Sequence, residues 1–121
     1  MTRLVAASVL AIGLMTPLAH AQRVSKITGE KLLQTCSASR GKLVCEAYIS
    51  GVADGIARME KDMTRAQGQS FAGATCIPTE TTITQLHSTV VSYLRAHPET
   101  QSGPAAIPAF DALHDAFPCK T

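Results

Sequence analysis

The sequence predicts an all-α fold, a small compact bundle of about four helices stapled by two disulfides. Three observations carry that prediction. Apolar residues recur at helical spacing in four stretches, no stretch alternates in the manner of a strand, and the four cysteines form an even set. No internal repeat or low-complexity tract interrupts the pattern.

Residues 1–21 read as a secretory signal peptide. Arg3 supplies the basic start, Leu4 to Leu14 an apolar run relieved only by Ser8 and Gly13, and Ala19-His20-Ala21 a small-residue cleavage site. The run falls short of the roughly 20 apolar residues that span a bilayer. Cleavage after Ala21 leaves Gln22 to Thr121 as one helical domain of 100 residues, with 10 basic and 9 acidic side chains. A net charge of +1 gives no basis for gripping nucleic acid, and no membrane segment remains. A chain of this size buries about 65% of its unfolded surface. With no tryptophan, three phenylalanines and two tyrosines, its core is thin. Multidomain enzymes, channels and DNA-binding domains are excluded.

Thr28 is placed to cap the first helix, with Ile27 just before it as a hydrophobic staple and Glu30 in the first turn. That helix carries Leu32, Leu33 and Cys36, and Ser37 to Gly41 follows as a tight polar turn. A long second helix is expected from about Leu43 to about Met63. Its apolar face holds Cys45, Tyr48, Ile49, Val52, Ile56, Met59 and Met63. Thr64 to Thr75 lacks periodicity and reads as an exposed loop. Phe71 within it either folds back onto the core or serves as a binding anchor.

Thr82 and Gln85 form a capping-box pair at the start of the third helix. Ile83, Leu86, Val90 and Leu94 make its stripe, widened by Val91 and Tyr93, and His97-Pro98 ends it. After a second loop, Glu99 to Pro104, the last helix is expected near Ile107, with Pro108 in its first turn. Ala106, Phe110, Leu113 and Phe117 are assigned to its buried face, and Pro118 stops it.

Helix order chooses among the three cysteine pairings. Cys36 ends the first helix where Cys45 opens the second; Cys76 precedes the third where Cys119 follows the fourth. In antiparallel pairs these ends meet, which favours Cys36–Cys45 and Cys76–Cys119. A zinc site is disfavoured because no Cys-x-x-Cys pair occurs.

Catalytic chemistry finds little support. Asp111, His114 and Asp115 lie within one helical turn and could hold a metal, but solvated polar faces share that pattern. His87 reads as a satisfied helix-surface histidine, and Glu46 and Asp54 are lone carboxylates. No serine sits in a Gly-x-Ser-x-Gly elbow. Neither catalytic residues nor a metal nor a cofactor is therefore expected. Gly51 and Gly55 weaken the second helix by about 0.8 to 1 kcal/mol each. That cost implies close approach of another element, with packing inside the chain preferred over a dimer face.

Five segments in order resemble the Rap/Tai family of type VI secretion amidase immunity proteins. They are Leu32 to Cys36, Cys45 to Gly55, Cys76-Ile77-Pro78, Tyr93 to Glu99, and Ala112 to Cys119. The resemblance implies a disulfide-bonded helical protein of the periplasm, a homodimer in some members. Its partner would be a peptidoglycan amidase effector, whose active-site cleft it blocks; the family has no catalytic residues to carry over. This chain departs from the pattern at Thr75, where an aromatic is frequent, and at Pro104 and Pro108. The resemblance does not place the contact surface. Loops on a rigid scaffold commonly carry recognition, which makes Arg65, Gln67, Gln69 and Phe71 the expected contacts. The competing reading is a periplasmic binding or chaperone-like module with a non-toxin partner.

Overall fold

Side-chain caps open two of the four helices, the first and the third. The computed structural model describes residues 25–68 and 73–120, so the expected signal peptide, Gln69 and Phe71 lie outside the described residues. Helix α1 spans Gly29–Ser37, and the Thr28 hydroxyl accepts the Lys31 amide at its start. A 3-10 turn, Ser39–Gly41, leads directly into α2, Lys42–Gln67. Helix α3 spans Ile83–Ala96 and begins with both arms of the Thr82–Gln85 box. A 3-10 turn at Pro98–Thr100 precedes α4, Ala106–Ala116. Pro108 sits in the first turn of α4, where its missing N–H costs nothing. No described helix is long and apolar enough to cross a membrane.

Each helix contacts the other three. The core between them holds Leu32 from α1, Ile49 and Ile56 from α2, Leu86, Val90 and Leu94 from α3, and Leu113 from α4. The buried face of α4 differs from the expected one. Pro108, Ala109, Ala112 and Leu113 are buried, whereas Ala106 is exposed and Phe110 and Phe117 are only half-buried. Small side chains let α4 lie close to its neighbours, and the two phenylalanines cover the seam from the side.

The second helix runs four residues past its expected end, so Thr64 to Gln67 are helical and not loop. Gly68, with φ of 74°, provides the left-handed cap, its amide bonding Thr64 O. At 26 residues α2 is about 39 Å long. Beyond Ile56 none of its residues is fully buried, and Met59, expected on the apolar face, is exposed.

Both expected disulfides form, Cys36–Cys45 and Cys76–Cys119. The first belongs to the core, whereas Cys76 lies at the surface. Isolated backbone bridges tie the remaining ends, Thr28 to Pro104 and Thr75 to Pro118. Close approach is real at Gly41, where an added Cβ would fall 2.1 Å from Thr35 O. It is absent at Gly51 and Gly55. Both are exposed, and a Cβ there meets nothing within 4 Å, which overturns the expectation of packing inside the chain.

Two predictions follow from these placements. Mild thiol treatment of the folded protein should reduce Cys76–Cys119 before the buried pair, as read by alkylation and mass mapping. Opening that 43-residue loop should cost about 4 kcal/mol in urea unfolding. Among the glycines, Gly41→Ala should lose about 3 kcal/mol through a backbone clash. Gly51→Ala and Gly55→Ala should each gain about 0.8 to 1 kcal/mol.

Candidate partner-binding surface

Three of the histidines are committed to structural contacts. His87 Nε2 lies 3.1 Å from the Cys36 carbonyl oxygen and so links α3 to the end of α1. His97 Nδ1 meets Glu99 Oε1 at 3.0 Å. His114 Nδ1 lies 2.9 Å from Thr75 Oγ1 and its ring stacks beside Phe110. That bond draws His114 toward the segment before α3, and no cluster with Asp111 and Asp115 forms. Among the described residues, the one grouping with metal-ligand donors is Cys36, Cys45 and His87, and both its sulfurs are spent in the disulfide.

The expected contact residues divide between two places. Arg65 and Gln67 are exposed on the last turn of α2, where a cation also suits the negative helix end. Gln69 and Phe71 fall in the stretch outside the described residues. The chain is described again from Gly73, with φ of 82°, followed by buried Ala74 and Thr75.

From there it is tightly held. The Thr75 amide donates to Glu60 Oε1 at 2.7 Å, the Cys76 amide to Phe117 O at 2.8 Å, and the Cys119 amide to Ala74 O at 3.0 Å. Glu60, Thr75 and His114 thus join α2, the connection and α4. Sequence reasoning found none of this network. Glu60 precedes Thr75 by 15 residues, and no periodicity marks such a pair. The departure at Thr75 was the available signal, a polar residue beside a cysteine that must be pinned.

Two cavities flank the network. One of about 220 Å³ is walled by Ile56, Ala57, Ile77 and the Cys76 side, with Glu60 and Thr75 as its polar members. Another of about 450 Å³ lies between Cys76, Pro78, Phe117 and Cys119, with Lys120 at its border. Both touch Cys76, so one end of the molecule presents shallow apolar hollows beside the exposed end of α2. A rigid surface of this kind suits docking against another protein.

The network makes its own prediction. Glu60→Ala should strand the buried Thr75 amide and cost about 1 to 3 kcal/mol, whereas Glu60→Gln should retain most of the stability. Urea unfolding and hydrogen exchange at the Thr75 amide would measure both.

No curated protein and no solved structure matches the chain. Residues 28–119 match the family described as Rap1a immunity proteins. The match begins at the Thr28 cap and ends at Cys119, taking in all four helices. The two disulfides suit a periplasmic or extracellular compartment. The chain therefore belongs to the Rap1a immunity proteins, a membership that implies a toxin effector as its partner.

Proposed function

We propose that this protein is exported with cleavage after Ala21 and acts in the periplasm. There it binds a peptidoglycan amidase toxin of a type VI secretion system and occludes the toxin's active-site cleft. The observation that carries this reading is the family match across the whole stapled body, from cap to last cysteine. Supporting it, His87, His97, His114 and the four cysteines are engaged in structural contacts, which suits an inhibitor that works by shape. Inhibition by occlusion needs no chemistry from the inhibitor. It needs a surface that keeps its form while a partner presses on it, and residues 74–76 are held on three sides.

The contact surface we assign is the end of α2 with the connection after it. Arg65 and Gln67 stand on the exposed last turn, and Gln69 and Phe71 follow them in the sequence. The two hollows at Cys76 could seat apolar residues of the same partner.

Tagged, oxidised Gln22 to Thr121 should capture a stoichiometric cell-wall hydrolase from the secreted fractions of bacteria carrying type VI systems. The same protein should abolish that enzyme's release of peptidoglycan fragments. Phe71→Ala and the pair Arg65→Ala with Gln67→Ala should weaken binding by about tenfold or more, the scale of an interface hot spot, with melting temperature unchanged. Capture of a partner that is not a hydrolase would move the reading to a binding module. Unchanged affinity in these variants would move the contact surface elsewhere.

A further inference from the structure

We propose that the open groove between α3 and α4 receives a lysine or arginine side chain of a protein partner. The groove has a volume of about 600 Å³ and is lined by Ser92, Tyr93, His97, Ala112, Asp115 and Ala116 among others. Its charge is one-sided. Residues 96–119 contain Glu99, Asp111 and Asp115 and no lysine or arginine.

These carboxylates are not equivalent. Glu99 is engaged by His97, whose ring stacks on Tyr93 with centroids 4.1 Å apart. Its own backbone and the His97 side chain hold Glu99 below the usual carboxylate range. Asp111 and Asp115 have no such partner, forming neither an ion pair nor a side-chain hydrogen bond among the described residues. Both act on one ring. The Tyr93 phenol is raised above its ordinary 10 by burial first, then by the negative charges of Asp111, Asp115 and Glu99.

Nearby cations do not answer this charge. Arg95 turns toward Ser37 on α1, and Lys120, which borders the adjoining cavity, forms no ion pair with Asp115. The groove therefore offers the unneutralised Asp115 carboxylate beside the Tyr93 ring, over a floor of Ala112 and Ala116, with Asp111 outside the lining but one helical turn before Asp115 and acting on the same ring. A long aliphatic stem with a cationic head matches that combination, since the stem covers the alanines while the head meets Asp115 within the field of Asp111.

The groove shares Ala116 with the hollow at Cys119, so it continues the surface assigned above. The inference deepens the immunity reading and rests on it only for the partner's identity. Attraction at an exposed rim acts mainly on the rate of association, and salt weakens it.

A titration of the ¹⁵N-labelled, oxidised mature protein with an arginine-containing tripeptide amide tests the groove without any toxin. Amide shifts should cluster on residues 88–97 and 111–116 and fade at high salt. The isosteric citrulline peptide should produce none, and Asp111→Asn with Asp115→Asn should abolish the arginine response. Equal response to citrulline, or no shift on α3 and α4, would overturn the proposal. With a captured hydrolase, the same double substitution should slow association by about tenfold and flatten its salt dependence, leaving melting temperature unchanged. Unaltered association would count against the groove. Failure of the wild-type protein to capture any hydrolase would instead count against the immunity reading, with the peptide titration still deciding the groove. Self-association by sedimentation, dissolved by the double substitution, would assign the groove to a second copy and overturn the proposal.

Discussion

The bond from Cys76 to Cys119 joins the connection after α2 to the end of α4, and the backbone pairs on both sides of it. Cys76 donates to Phe117, Cys119 donates to Ala74, and Thr75 donates to Glu60. This clasp decides where the chain can pass from α2 to α3. Gly68 caps α2, and the described chain resumes at Gly73, directly before the clasp. The hollows at this end have walls made by the clasp itself, Cys76 being common to both. A thin core could not hold that arrangement by burial alone. Its large apolar members are chiefly Leu, Ile and Val, and neither tyrosine nor phenylalanine is fully buried among the described residues. The cross-link supplies by chain entropy what the core lacks in area.

Local chemistry was the legible part of the fold. Thr28 and the Thr82–Gln85 box each act within one turn of the chain, and the structure forms both as the residues predict. Disulfide pairing was legible at one remove, because helix ends bring Cys36 to Cys45 and Cys76 to Cys119 once hairpins are assumed. The face of α4 was not legible. Periodicity weights residues by size and chose Phe110 and Phe117, whereas packing admitted Ala109 and Ala112 at the crossing.

The end of α2 shows the same division. Thr64, Arg65, Ala66 and Gln67 form a helix as readily as they form a loop, and only Gly68 terminates it. Of the expected contact residues, Arg65 and Gln67 were read as loop, and their true setting was not legible. Arg65 and Gln67 are exposed as expected, but on a helix, which orients them far more narrowly than a loop would. Glu60 and Thr75 were invisible, since their bond depends on the clasp and not on any local pattern. Gly51 and Gly55 illustrate the opposite error. A sequence argument assigns every helix glycine a neighbour, yet both face open space. α2 tolerates them because Cys45, Ile49 and Ile56 anchor its other side.

The segments that carry the family resemblance fall on what builds the body. Cys45 to Gly55 contains a disulfide sulfur and core residues, Tyr93 to Glu99 ends α3, and Ala112 to Cys119 supplies the packed face of α4 and the clasp. Arg65, Gln67 and Asp111 lie outside those segments. Tyr93 and Asp115 lie inside them, and each also lines the acidic groove. A shared body therefore brings part of the proposed groove with it, while Arg65 and Gln67 are exposed and take no part in the core. The overall charge is uninformative. The chain is near neutral as a whole, yet α4 and its flanks to Cys119 carry acids alone, so opposite charges on different surfaces cancel in the total and remain available to a partner.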